Sequence, residues 1–207
     1  EAVSEPGGED ARWLAAAASL AARGRPLSRP NPAVGAIVVR DGRVVGRGWT
    51  RPGGRPHAEA VALEQAGEQA RGATLYVTLE PCAHQSARGP ACADLIAASG
   101  LASVVVGCED PDARTAGQGM DRIRQAGMAA QLLPSREAEA SLAGYLSLRR
   151  RGRPQVTLKL ALSRDGCLAR PPGESQWITG EAARAHCHAL RAKSDAILVG
   201  GGTLRHD

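Results

Sequence analysis

The chain has 207 residues, of which 43% are hydrophobic and 23% are charged, and its formal net charge is +5 at pH 7. These fractions are typical of a packed globular protein, and they exclude global disorder. No apolar run reaches the roughly 18 to 20 residues of a membrane helix and no signal peptide opens the chain, so we expect a soluble cytoplasmic protein without a membrane partner. Aromatic residues make up only 2% of the chain, which argues against a nucleic-acid partner bound by aromatic stacking.

Helix and strand patterns alternate through roughly the first 145 residues, which is a typical domain size. Apolar spacing predicts helices over residues 10–22, 57–66, 92–99 and 120–126. Apolar and β-branched runs predict strands over residues 33–39, 44–49, 74–79, 103–107 and 129–133. The Asp41-Gly42 turn joins the first two strands as a hairpin. This alternation predicts an α/β domain with three layers and a mixed sheet.

A basic stretch with Gly and Pro, residues 149–155, predicts a linker between a first domain (1–148) and a second unit (156–207). The elements predicted in the second unit are a strand over 156–163, a helix over 179–193 capped by Thr179, and a strand over 196–199. Three glycines follow the last strand, and they suit a close approach of the backbone to a ligand. A unit of about fifty residues is too small to form a stable core alone.

The residues that point to chemistry are His57-Ala58-Glu59, Pro81-Cys82 and Cys92. One His and two Cys can hold Zn²⁺ with three protein ligands, which leaves a fourth position for water, as in catalytic zinc sites. His57 and Glu59 lie at the start of a predicted helix, so the carboxylate can reach that water without being a ligand. His-x-Glu followed by Pro-Cys and a second Cys is the signature of zinc deaminases.

In that chemistry zinc lowers the pKa of its water to about 7, and the hydroxide attacks an amino-bearing ring carbon while Glu59 moves the proton to the departing ammonia. The alternative reading is a surface histidine and two unrelated buried cysteines. The helix start at His57 and the strand that leads into Pro81-Cys82 favour the metal site. Five cysteines, an odd number, do not favour disulfides in a chain without a secretory signal.

The spacing of the cysteines bears on the substrate. Nine residues separate Cys82 from Cys92, whereas nucleobase deaminases usually have Cys-x-x-Cys. The longer loop carries His84 and Arg88, polar side chains that suit a larger, phosphorylated substrate. The alternative is an ordinary solvated loop.

These residues resemble the bifunctional deaminase/reductase family of riboflavin biosynthesis, and the resemblance runs from about Trp13 to the last residue. The matching stretches are residues 30–32, 34–36, 57–59, 72–84, 110–111, 117, 119, 159–166, 174–179, 190–192 and 195–200. The resemblance implies a cytidine-deaminase-like domain followed by the start of a dihydrofolate-reductase-like α/β domain. It implies hydrolytic deamination of a phosphoribosylated diaminopyrimidine to 5-amino-6-(5-phosphoribosylamino)uracil, and NADPH-dependent reduction of the ribosyl group by the reductase half.

The resemblance also implies roles for individual residues of this chain. His57, Cys82 and Cys92 would bind zinc, and Glu59 would be the proton donor. The implied substrate contacts are Asn31, His84, Arg88, Ser175 and Arg191. The implied NADPH contacts are Ala161, Trp177, Thr203 and Asp207.

The chain departs from the family at Asp112, where the family has Asn, and a negative charge suits a ribosyl phosphate poorly, so Asp112 is left out of the site. The reductase unit is much shorter than the family's, so we expect NADPH-dependent reduction by this chain to be weak or absent. We expect a small-molecule substrate and a homo-oligomer. Two alternatives stay open: a nucleobase or tRNA-editing deaminase of the same fold, and a non-catalytic module whose zinc takes His84 as fourth ligand.

Overall fold

The computed structural model describes residues 6–168 and 177–206. It divides the chain into two compact units, Glu1–Gln155 and Val156–Asp207. The predicted site residues Ser175 and Asp207 lie outside the described residues. No helix in the described part of the chain is both long enough and apolar enough to cross a membrane.

A five-stranded mixed sheet forms the centre of the first unit, with the strand order β2-β1-β3-β4-β5. The strands are β1 (Gly35–Arg40), β2 (Arg43–Trp49), β3 (Thr74–Val77), β4 (Ser103–Val106) and β5 (Ala129–Leu132). β1 pairs antiparallel with β2 and β3, whereas β3, β4 and β5 run parallel. The hairpin turn has positive φ at Asp41 (50°) and Gly42 (69°), as a tight two-residue turn requires. The predicted mixed sheet is confirmed.

Six α-helices surround this sheet in the described residues of the first unit. They are α1 (Pro6–Ala21), α2 (Ala58–Ala66), α3 (Cys92–Ala97), α4 (Gln118–Gln125), α5 (Arg136–Ser141) and α6 (Ala143–Arg151). Short 3-10 helices cover Ala22–Gly24, Pro52–Gly54 and Gly67–Ala70. The helices α1 to α4 agree with the predicted ones to within a few residues.

The helices α5 and α6 were not predicted. Ser135 caps α5 by accepting a hydrogen bond from the N–H of Ala138 at 3.2 Å, an arrangement that satisfies a backbone donor otherwise left free. The residues 149–151, predicted to begin the linker, instead form the last turn of α6, which ends at Gly152 with φ 66°.

Alternate residues of each strand pack on opposite faces of the sheet, as the pleat dictates. On one face Ile37, Tyr76 and Val105 pack with Trp13 and Leu14 of α1. The other face carries the larger cluster, which includes Val38, Leu75, Val77, Val104, Ala62, Ile96, Ile123 and Leu142. The sheet is therefore covered on both faces, which confirms the predicted three layers.

Two glycines of β2 allow α2 to pack closely against the sheet. A Cβ built on Gly48 would lie 2.2 Å from the carbonyl oxygen of Ala58, and one on Gly46 would lie 2.1 Å from that of Ala62. Ala58 is the first residue of α2. This contact therefore fixes the start of the helix, where the predicted ligand His57 lies.

The second unit contains α7 (Glu181–Ala192) and α8 (Gly201–His206) in its described residues. The predicted helix over 179–193 is present, but its N-cap is Gly180 and no side chain caps it, so the predicted Thr179 cap is wrong. Of the three glycines expected to suit a close approach to a ligand, Gly201 and Gly202 begin α8 and Gly200 directly precedes it.

The strands predicted over residues 156–163 and 196–199 are wrong, because the described residues of the second unit form no strand there. A strand needs a neighbour to satisfy its backbone N–H and C=O groups. The apolar pattern that favoured strands instead leaves Leu158 78% and Leu198 98% exposed.

Candidate metal centre and active site

Three side chains from separate parts of the first unit bring metal-binding atoms together. His57 is the N-cap of α2, Cys82 lies in the loop after β3, and Cys92 is the first residue of α3. The Nδ1 atom of His57 lies 3.2 Å from Sγ of Cys92 and 3.6 Å from Sγ of Cys82. The three ligand atoms lie within 4.8 Å of one another, and among the described residues this is the one such group.

These donors fit a tetrahedral zinc ion. Zn–N bonds of about 2.0 Å and Zn–S bonds of about 2.3 Å at a tetrahedral angle separate nitrogen and sulfur ligands by about 3.5 Å, which is close to the observed N···S distances of 3.2 and 3.6 Å. The N–H of Cys92 also donates to Sγ of Cys82 at 3.3 Å, and a donor at that place favours the thiolate form that binds metals.

Hydrogen bonds within the cluster shift the pKa of each ligand. The pKa of Cys82 is lowered, chiefly by the hydrogen bond from the Cys92 thiol and also by His57. The pKa of Cys92 is raised by its hydrogen bond with Cys82 and by burial. Burial lowers the pKa of His57, but its hydrogen bond with Cys82 and the nearby Glu59 outweigh this and raise it. Metal ligation needs deprotonated thiols and a neutral imidazole, so a bound cation would compete with protons at these three side chains.

Glu59 lies in the first turn of α2, beside this cluster, and is only 3% exposed. Its Oε2 atom is buried and makes no hydrogen bond to the described residues. Burial raises the pKa of Glu59, although His57 acts in the opposite direction. A buried carboxyl group with a free oxygen and a raised pKa is suited to carry a proton.

Asn31 contacts the Nε2 atom of His57, whereas the two sulfur atoms lie near Nδ1 of the same ring. Its Nδ2 atom donates to the carbonyl oxygen of Gly54 at 2.9 Å and lies 2.9 Å from Nε2 of His57. This contact holds the ring with Nδ1 turned toward the two sulfur atoms. Asn31, predicted to contact the substrate, is therefore placed where it also orients a ligand histidine.

A cleft of about 330 Å³ opens beside the cluster, and Arg55 and Arg88 line it together with His57 and Cys92. Arg55 donates to the carbonyl oxygen of Pro90 at 3.1 Å. Two guanidinium groups make this wall positive, which suits a phosphate. Arg55 was missed in the sequence; its place two residues before His57 was the available signal.

His84 lies two residues after Cys82, in the loop that joins β3 to α3 (the Cys82 loop), and is partly buried. Its Nδ1 atom is buried and makes no hydrogen bond to the described residues. The metal-ligand group formed by described residues does not include His84, so the fourth ligand of the non-catalytic alternative is not found there.

Asp112 lies in an ion-pair network. Its carboxylate accepts from Arg114 at 2.6 Å, and Arg149 lies 3.4 Å away. The Arg114 guanidinium lowers the pKa of Asp112 well below its usual range. These two arginines offset the negative charge of Asp112.

The predicted reductase residues that the structure describes lie in different elements of the second unit. Arg191 is exposed in the last turn of α7, and Thr203 is exposed in α8. Trp177 is 65% exposed, with the guanidinium of Arg184 4.3 Å from its ring centroid. Ala161 is partly buried in an irregular segment. Their roles stay predictions.

Two family models match the chain. One, described as the cytidine and deoxycytidylate deaminase zinc-binding region, matches residues 8–108, and the other, the RibD C-terminal domain, matches residues 154–207. The riboflavin biosynthesis protein RibD of Escherichia coli K12 is 46% identical over 200 residues, which cover 96% of this chain and 54% of that protein. The chain belongs to the RibD family.

Solved RibD-family structures agree with this assignment. The Acinetobacter baumannii RibD, form 2, is 42% identical with a TM-score of 0.82, covering 98% of this chain and 57% of that one. A diaminohydroxyphosphoribosylaminopyrimidine deaminase/5-amino-6-(5-phosphoribosylamino)uracil reductase from Thermotoga maritima is 37% identical with a TM-score of 0.88. The match covers 98% of this chain and 58% of that one. This RibD-family chain spans about half the length of the curated relatives it matches.

Proposed function

We propose that this chain is a zinc-dependent deaminase of riboflavin biosynthesis that acts on a phosphoribosylated diaminopyrimidine. It would hydrolyse one ring amino group to give ammonia and 5-amino-6-(5-phosphoribosylamino)uracil. The observation that carries the proposal is the cluster of His57, Cys82 and Cys92 with the unpaired carboxyl oxygen of Glu59 buried beside it.

His57, Cys82 and Cys92 would hold the zinc ion, which when bound supplies Lewis-acid activation of a water molecule. Glu59 would accept a proton from the attacking water at Oε2 and deliver it to the substrate. The amino group then leaves as ammonia, and the water oxygen stays on the ring carbon. The burial of Glu59 supports this role, because a raised pKa brings a carboxyl group closer to the pH at which it can both take and give a proton.

The cleft beside the cluster supports a phosphorylated substrate. Arg55 and Arg88 line it, and a guanidinium group can pair with two phosphate oxygens at once. We assign His84 and Asn31 hydrogen bonds to the pyrimidine or its ribose. These four side chains would bind and orient the substrate against Glu59.

We assign residues 1–148 to the deaminase domain, residues 149–155, which begin with the last turn of α6, to a linker, and residues 156–207 to the NADPH-dependent reductase half. In that half Ala161, Trp177, Thr203 and Asp207 would contact NADPH. Ser175 and Arg191 would contact the substrate. We also propose a cytoplasmic homo-oligomer that uses a small-molecule substrate.

Ammonia release from the phosphoribosylated diaminopyrimidine, measured before and after zinc is removed with a chelator and then restored, tests the deaminase proposal. We expect release that stops with zinc removal and returns with zinc. Release only from cytidine, deoxycytidylate or adenosine substrates would instead favour the nucleobase or tRNA deaminase alternative. No release by the zinc-loaded protein, with zinc lost on His84→Ala, would favour the non-catalytic module.

A further inference from the structure

We infer that helix α4 is the element that positions Cys82 for the metal, through Glu80, Gly119 and Arg122. The inference rests on the proposed zinc site. Its basis is that the residues on both sides of Cys82 are held by α4, while the Cys82 sulfur itself faces His57.

The first contact lies just before Cys82, where Glu80 is 3% exposed. One carboxylate oxygen accepts from the N–H groups of Gly119 and Met120 at 3.0 and 3.2 Å, and the other from Gly117 at 3.0 Å. These are N–H groups of the first turn of α4 and its N-cap, which have no partner within the helix. The side chain of Glu80 therefore ties the strand end to the start of α4.

The second contact is made by Pro81, the residue directly before Cys82. A Cβ built on Gly119 would lie 1.9 Å from the carbonyl oxygen of Pro81. No side chain larger than hydrogen fits there unless the backbone of Pro81 moves. The absence of a side chain at Gly119 therefore sets how closely α4 approaches the peptide bond that joins Pro81 to Cys82.

The third contact lies just after Cys82. The Nη1 atom of Arg122 donates to the carbonyl oxygen of Ala83 at 2.8 Å and to the carboxylate of Asp94 at 3.1 Å. Asp94 lies in the first turn of α3, which begins at Cys92. Arg122 therefore fixes the Cys82 loop relative to the helix that carries the other sulfur ligand.

Groups that orient metal ligands without touching the metal typically change metal affinity by 10- to 100-fold when they are removed. Glu80, Gly119 and Arg122 are such positioning residues for Cys82. A purely structural role would instead lower stability and leave zinc affinity unchanged in the folded protein.

Arg122→Ala and Arg124→Ala form a matched pair for the test, because both residues lie in α4 and each binds an aspartate and a backbone carbonyl. Only Arg122 binds the Cys82 loop. Zinc affinity is measured on the full chain by competition with a chelator, and Co²⁺ absorption reports the geometry of the sulfur ligands. We expect zinc binding weakened about 10-fold with altered Co²⁺ bands in Arg122→Ala, and neither change in Arg124→Ala.

Gly119→Ala against Gly144→Ala gives a second, independent comparison, since a Cβ on Gly144 would meet nothing within 4 Å. In a third comparison, the same two measurements are made on Glu80→Gln and on Glu109→Gln, whose position is exposed. Unchanged zinc affinity and Co²⁺ spectra in folded Arg122→Ala and Gly119→Ala would overturn the inference while leaving the zinc site intact. Failure of the unaltered chain to bind zinc would overturn both the proposed function and this inference.

Discussion

The Nδ1 atom of His57 lies 3.2 Å from Sγ of Cys92, although the two residues are 35 positions apart in the chain. The start of α2 and the start of α3 thus meet at one point, and the Cys82 loop reaches the same point from β3. Glu59 follows on the same helix turn as His57. Three side chains that could hold a metal ion and the buried carboxyl group of Glu59 therefore meet where two helices begin and the Cys82 loop passes.

Replacing Glu59 by Gln is expected to lower the rate of ammonia release by about 10²-fold or more, the usual contribution of a general acid–base group. The amide keeps the size of the side chain but cannot carry the proton. Zinc content should stay the same, because Glu59 is not among the three grouped ligands. The exposed Glu64→Gln on the same helix is the control, and full activity in Glu59→Gln would rule out its assigned role.

Arg55→Gln and Arg88→Gln are each expected to raise the KM for the phosphorylated substrate about 10-fold with little change in kcat, since each removes a charged hydrogen bond to the phosphate. Steady-state kinetics of ammonia release measure both constants. Arg71→Gln, on the surface and away from the cleft, should leave both constants unchanged. An unaltered KM in both cleft variants would contradict the proposal that the substrate phosphate binds at this wall of the cleft.

The Asp112 ion pair gives a pH-dependent contribution to stability. Because Arg114 lowers the pKa of Asp112, the folded form binds fewer protons than the unfolded form, whose Asp titrates near about 3.9. The stabilisation is therefore present above that pH and is lost as the pH falls through the lower folded pKa. At pH 7 Asp112→Asn should lower the free energy of unfolding by about 1 kcal/mol or less, as is usual for ion pairs near the surface.

Urea unfolding of both proteins at pH 7 and pH 3 measures this difference. The gap between the two free energies of unfolding should shrink at pH 3. Groups common to both proteins, including the metal ligands, cancel in the comparison. A gap that is constant or widens toward acid would contradict the ion-pair account.

Gly48→Ala is expected to destabilise the first unit by about 1–3 kcal/mol, the usual result of overpacking. The added methyl group would lie 2.2 Å from the carbonyl oxygen of Ala58. Gly144→Ala, in α6 with open space around its Cα, should be neutral or slightly stabilising. Thermal unfolding followed by circular dichroism compares them, and equal midpoints would mean that β2 and α2 are not in tight contact.

The sheet and the metal cluster were predictable because local patterns carry them. Residues 74–79 and 103–107 are more continuously apolar than the alternating pattern of a strand with one solvated face. Strands β3 and β4 form there. The residue types in His57-Ala58-Glu59 and the two cysteines were enough to predict a metal site, and the fold places their ligand atoms within 4.8 Å of one another.

Contacts between distant segments were not predictable in this way. Arg55 could be suspected only from its place two residues before His57, and nothing in the local sequence of Arg122 identifies the Cys82 loop as its partner. The prediction of a strand over residues 156–163 was wrong for a related reason. A strand depends on a neighbour as well as on its own residues, and the described second unit supplies none.

The most direct test of the account compares Cys92→Ala with Cys108→Ala, both at buried cysteines. Zinc content and ammonia release from the phosphoribosylated diaminopyrimidine are measured together on each purified protein. We expect Cys92→Ala to lose both the zinc and the ammonia release, and Cys108→Ala to keep both. Ammonia release by zinc-free Cys92→Ala at the rate of the unaltered chain would contradict it.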